Sequence, residues 1–127
     1  MKFPILELED GRMVGQVEVV MAYILKMGGK QDMLGSTAWE TAQINHWSSY
    51  ISNTVNEHYM GLIMPTFGMG GNKDKWEATL TWFSKELVAW EAHLAGHSHW
   101  VGNKMTLVDI ILWRVCLPLF NFVMGPE

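Results

Sequence analysis

The 127-residue chain changes its hydrophobic rhythm several times. Residues 2–9 nearly alternate apolar and polar, broken only where Ile5 meets Leu6. Asp10-Gly11 follows as a turn signal, and Arg12-Met13-Val14 can return as a strand, so a β-hairpin is expected. From Gln16 to Met27 the period becomes helical, with Val17, Val20, Met21, Ile24 and Leu25 on one face. Gly28-Gly29 stops that helix, and Lys30–Ser36 reads as a polar linker. Thr37-Ala38-Trp39-Glu40 has capping-box spacing: the Thr hydroxyl can take a backbone N–H three residues on, and the Glu can reach back. The long helix it starts carries Trp47, Ile51, Val55, Tyr59 and Ile63 at steps of four and is expected to end before Pro65. A Gly-rich loop over 66–72 precedes a third helix from Lys73 to Leu94, striped by Trp76, Leu80, Phe83, Leu87, Trp90 and Leu94.

Thr106 and Asp109 repeat the capping spacing with Asp in place of Glu, placing negative charge at a helix start. The run from Ile110 to Met124 is apolar on nearly every face, which predicts a central helix wrapped by others. A hairpin, one helix and then long helices joined by short loops make a mainly α bundle the natural packing.

Composition sharpens this picture in two places. Charged residues are only 17% of the chain, with seven Trp and ten Met. That balance suits surfaces meant to be covered, some of them soft and repackable. Trp39 and Trp82 lie off the main stripes and are the best candidates for such a contact surface. The formal net charge of −4 with scattered Lys and Arg argues against nucleic acid. Ile110–Met124 is too short for a membrane span and contains Arg114 and Pro118. No signal peptide is legible at the N-terminus, so a cytoplasmic location is expected, with an organellar complex as the alternative.

Candidate chemistry is sparse. His93 and His97 have the i,i+4 spacing of helical zinc sites, but Gly96 intervenes and no Cys or Glu completes a set; solvated surface histidines, His99 included, and no metal are expected. His46 or His58 on the long helix can sit at the core edge. Gly68-Met69-Gly70-Gly71-Asn72-Lys73 lacks phosphate-loop spacing and reads as a flexible loop capping the next helix at Asn72. Ser48, Ser49 and Cys116 have no His–acid pair at useful spacing, so no catalytic residue is assigned. Cys116 reads as a small core residue.

Taken together, Lys2–Gly11, the helix 16–27 and the Gly102…Thr106-Leu107-Val108-Asp109 block resemble the glutathione transferase superfamily. Leu34-Gly35-Ser36-Thr37, Gln43…Trp47, Pro65-Thr66-Phe67-Gly68, Asn72-Lys73 and Val101-Gly102 narrow the likeness to the gamma-subunit family of translation elongation factor 1. The resemblance implies a helical C-terminal domain over 37–127, a linker at 30–36, and residues 1–29 as the hairpin and last helix of a partial thioredoxin-like domain. It implies a vestigial glutathione site at Phe3, Pro4 and Gln16. The family's activating Tyr, Ser or Cys belongs to a part not present here, and Val17 stands where a hydroxyl residue usually helps bind glutathione. The implied function is a non-catalytic scaffold or interaction module, with protein partners or self-association and no cofactor. The alternative is a glutathione-dependent transferase completed from elsewhere. Thr37, Glu40, Thr106 and Asp109 are expected to be structural caps.

Overall fold

A computed structural model describes residues 4–125. The mainly α fold begins with strands β1 (Ile5–Glu7) and β2 (Met13–Gly15), paired antiparallel with Ile5 opposite Gly15 and Glu7 opposite Met13. Helix α1 (Val17–Met27) follows, and a 3-10 turn over Gln31–Leu34 occupies part of the stretch expected to be a plain linker. Helices α2 (Ala38–Tyr50), α3 (Asn56–Thr66), α4 (Lys73–Leu94) and α5 (Leu107–Pro118) complete the order.

α2 and α3 are joined through a π-helical segment, Ile51–Val55, and a second one, Leu119–Val123, follows α5. The spacing of apolar residues supplies the reason. Trp47, Ile51, Val55, Tyr59 and Ile63 recur every four residues, as do Leu107, Ile111, Val115 and Leu119. An α-helix has 3.6 residues per turn, so such a stripe drifts about 40° per step away from its partner. A wider π turn takes up the extra residue and returns the stripe to the core. Ile51, Val55, Ile111, Val115 and Leu119 are all fully buried.

The core joins these stripes to Ile44, Leu62, Phe83, Trp90, Trp100, Val101 and Val108. α5 lies against α1, α2 and α3 with its inner stripe. It is not wrapped all round as expected. Trp113 is 63% exposed, and Leu117 and Phe120 on the same side are also exposed. Nothing among the described residues covers that face.

The long helix does not stop before Pro65, as its sequence suggested; α3 runs to Thr66. Proline removes only its own N–H. The bonds beyond it survive, with the Thr66 hydroxyl donating to the Leu62 carbonyl (2.9 Å) and the Phe67 N–H to that of Ile63 (3.2 Å).

Both helix-start devices hold their helices, but they reach differently. Thr37 Oγ1 accepts from the Glu40 N–H at 3.1 Å. The Glu40 carboxylate accepts from Ser36 N–H (2.6 Å), one residue before the expected partner, and pairs with Lys104 at 3.1 Å. Lys104 also donates to Ser36 Oγ (2.8 Å), tying the start of α2 to the loop before α5. These bonds hold the Glu40 carboxyl below its ordinary 4.5, the Ser36 N–H first and Lys104 second. Asp109 accepts from Thr106 N–H (2.7 Å), Thr106 Oγ1 (3.0 Å) and Trp100 N–H (2.9 Å). One carboxylate therefore fixes both the start of α5 and the loop that leads into it.

Candidate functional site

Three regions hold features beyond packing: the open end of the hairpin, the space between α1 and α2, and the outer face of α5.

At the hairpin end, the Ile5–Gly15 register carries Pro4 and Gln16 to the same end of the strand pair. Gln16 is the N-cap of α1, with φ 74° and ψ 127°. Among the described residues it is the one non-glycine with positive φ. A backbone strained in this way costs about 1–3 kcal/mol and persists only where its surroundings demand it. Here the demand comes from the sharp turn out of β2 into α1, since the Gln16 carbonyl accepts the N–H groups of Val19 (3.1 Å) and Val20 (2.9 Å). Its side chain makes no cap bond and is exposed. Val17 beside it is half-buried and offers no hydroxyl. Phe3, the third residue expected at this site, lies outside the described residues.

Between α1 and α2 lies a cleft of about 510 Å³, floored by Leu107. Its α2 wall is polar: Thr41, Asn45 and Ser48 face α1. Ser48 is 4% exposed, and its hydroxyl has no hydrogen-bond partner. Gly35 closes one end at φ 104°, and a Cβ there would come within 2.5 Å of Thr41 Oγ1. Sequence reasoning passed over this region because each of its residues is an ordinary helix-surface type. The one available signal was three small polar residues at helical spacing on the side of α2 that also carries buried Ile44.

The outer face of α5 presents Trp113, Leu117 and Phe120, with Phe122, two residues on, also exposed and packed edge-on against Phe67 at 5.4 Å. Trp39, expected as contact surface, is 72% exposed. Trp82, its expected companion, instead packs against the core and takes the His58 ring at 3.9 Å. Trp113 is the surface residue that the stripe reading missed. It was legible as the position opposite Leu107, Ile111 and Val115.

The histidines divide. His93 is half-buried rather than a solvated surface residue: its ring lies against Trp47 (4.9 Å) and Trp100 (5.0 Å), and its Nε2 meets the Trp100 carbonyl at 2.9 Å. His97 is exposed and stacks on His93 at 5.9 Å. Among the described residues there is no group of three His, Cys, Asp or Glu able to hold a metal. The Cys116 thiol is pushed up to about 11 by burial, which leaves it a poor nucleophile. Tyr50 is raised to about 12, by burial first and then by its 2.5 Å bond to Glu86. It therefore stays protonated and serves as a strut between α2 and α4.

This arrangement of hairpin, helix and helical bundle recurs in solved structures. A glutathione S-transferase from Pichia kudriavzevii superposes with a TM-score of 0.82 at 18% identity, covering 99% of this chain and 61% of that one. The fold is that of the corresponding part of a glutathione transferase. In sequence, elongation factor 1-gamma from Prunus avium is 27% identical over 122 residues, 95% of this chain and 28% of its own length. A glutathione S-transferase-like protein, FUS3, from Gibberella fujikuroi is 28% identical over 119 residues, covering 88% of this chain and 57% of its own length. The chain is thus a glutathione-transferase-like protein related to elongation factor 1-gamma. It spans less than a third of the length of the elongation factors it matches. No protein-family model matches it.

Proposed function

We propose that the chain is a non-catalytic, glutathione-transferase-like interaction module that works within a larger assembly of the translation-elongation type, in the cytoplasm. The observation that carries this reading is the uncovered apolar side of α5. Trp113, Leu117 and Phe120 form a row one helical turn apart, on the face opposite the fully buried stripe. Aromatic anchors such as Trp113 and Phe120 are what protein interfaces bury at their centres. The two-stranded sheet adds support, because two paired strands leave an open edge on each side among the described residues. The relatives named elongation factor 1-gamma supply the assembly's class. On this reading residues 1–29 form a partial thioredoxin-like segment, 30–36 a linker and 37–127 the helical domain.

A second reading, a glutathione-dependent transferase completed by another chain, is favoured by Pro4 and the strained Gln16 at the hairpin end. Val17 weighs against it. The hydrogen bond that a hydroxyl would have made there is worth about 1 kcal/mol of ligand binding.

Native mass spectrometry of the full chain, with and without glutathione, tests the pair. A dimer or hetero-complex indifferent to glutathione, and weakened by Trp113→Ser, is the result expected of the module. A monomer that binds glutathione and loses that binding in Gln16→Ala would overturn it in favour of the enzyme.

A further inference from the structure

From Ile110 to Val123 the chain carries a single charge, Arg114. That residue follows Trp113 directly and stands three positions before Leu117, so on the helix surface it flanks the exposed row. It is half-buried. Among the described residues its guanidinium makes one hydrogen bond, from Nη2 to Asn56 Oδ1 at 3.3 Å, and its Nε–H is shut in without an acceptor. A cation that has given up part of its water needs a counter-charge, which a neutral amide does not supply.

The neighbouring helices hold no carboxylate for it. The one acid of α5, Asp109, is taken up by Thr106 and Trp100. α3 runs alongside, from Asn56 at Arg114 to Phe67 at Phe122, and its one acid is Glu57. Glu57 turns to the other side of α3, where it lines a cleft toward α4 with Lys75 and Trp82. Among the described residues Arg114 makes no ion pair. One turn along α3 from Asn56, Met60 is exposed as well. The face thus joins large apolar side chains to one uncompensated cation, on a chain whose formal net charge is −4.

We propose that this face docks an amphipathic helix of a partner chain, with a Glu or Asp of that helix on the Nη groups of Arg114. The inference rests on the reading of the outer face as an interface and adds the kind of partner that fits it. Trp113, Leu117 and Phe120 at i, i+4 and i+7 form the ridge against which a second helix packs. A carboxylate matches the guanidinium's planar array of N–H donors and supplies the missing charge. The same charge speaks against a second copy of this chain laid on the same patch, because that copy brings another Arg114 and no acid. It speaks against a lipid surface too, since helices that lie on membranes set several Lys and Arg beside the apolar face.

Two fluorescein-labelled helical peptides, each about five turns long, test the assignment by anisotropy with the full chain. Both carry Leu and Phe at i, i+4 and i+7; one has Glu beside that row and the other has Lys. The Glu peptide should bind saturably, and the Lys peptide at least about tenfold more weakly, the size of one lost hydrogen bond to a charged group. Arg114→Gln should weaken the Glu peptide about tenfold and leave the Lys peptide unchanged. Arg114→Glu should reverse the preference, which a merely loosened helix would not do. Trp113→Ser should weaken the Glu peptide about tenfold or more. Equal binding of both peptides, lost in Trp113→Ser, would overturn the proposal while leaving the interface reading in place. Binding of neither peptide, with no change of association in Trp113→Ser, would sink both. A dimer of the chain broken by Trp113→Ser, or tighter binding to phosphatidylserine vesicles than to the Glu peptide, would also overturn the proposal, by naming a second copy or a membrane as the occupant.

Discussion

The two sides of α5 are made of the same kinds of residue and meet opposite fates. Leu107, Ile111, Val115 and Leu119 are buried against α1, α2 and α3, whereas Trp113, Leu117 and Phe120 face outward. Burying one large apolar side chain is worth about 1.5–3 kcal/mol. The inner row gains that free energy within the chain, and the outer row, exposed, does not. Apolar content along a helix therefore does not by itself tell which of its faces the chain buries.

Changing one residue on each side breaks this comparison most sharply. Ile111→Ala should cost about 2–5 kcal/mol, because the surroundings of a fully buried side chain collapse only partly around the gap. It should be read as a drop in the denaturant midpoint. If Ile111→Ala proved nearly neutral, α5 would not be the centre of the core.

Asp109→Ala comes next, at about 1–3 kcal/mol by thermal unfolding. It strips one acceptor from Trp100 N–H, Thr106 N–H and the Thr106 hydroxyl together, and so loosens the start that aims both faces of α5. Asp109→Glu should recover part of the loss, since a longer side chain can still reach Thr106.

On the outer side, Trp113→Ser should leave unfolding within about 0.5 kcal/mol of the parent. Its effect should appear instead in association, as a shift of sedimentation or native mass toward the single chain. A large loss of stability with no change in association would show that the outer face is closed by the chain's own residues.

The smallest effect depends on pH and lies at the start of α2. Glu40 titrates below its ordinary 4.5 in the folded chain because of Ser36 N–H and Lys104. A depressed carboxyl contributes stability that is present above its unfolded value and is lost as pH falls through the folded one. Melting temperatures measured from pH 7 to pH 3 should therefore decline at the acid end, and Glu40→Gln should flatten the part of that decline that Glu40 causes.

The elements themselves were largely legible in the residues. The hairpin follows from alternation and Asp10-Gly11. Asn72 caps α4 by accepting from Lys75 N–H at 3.1 Å, and Thr37 and Thr106 stand at the starts of α2 and α5. All of these are short-range signals, carried within a few residues. The end of α3 was misread because a proline's missing N–H was weighed without the bonds that resume beyond it. His93 and Trp82 were misplaced because their partners lie on other elements: Trp47 and Trp100 for the one, His58 for the other. The polar cleft left only a faint local trace, because Thr41, Asn45 and Ser48, though they share a side of α2 with buried Ile44, look like any solvated helix face until α1 is laid across them.

Helix starts, helix period and the amount of apolar surface are properties of neighbouring residues, and the chain states them outright. The direction each face points depends on residues dozens of positions away, joined by contacts such as Lys104 to Glu40 and Ser36, or Arg114 to Asn56. For that reason the buried stripe of α5 could be read from spacing alone, while the exposure of Trp113 and the isolation of the Ser48 hydroxyl were settled only when the helices packed.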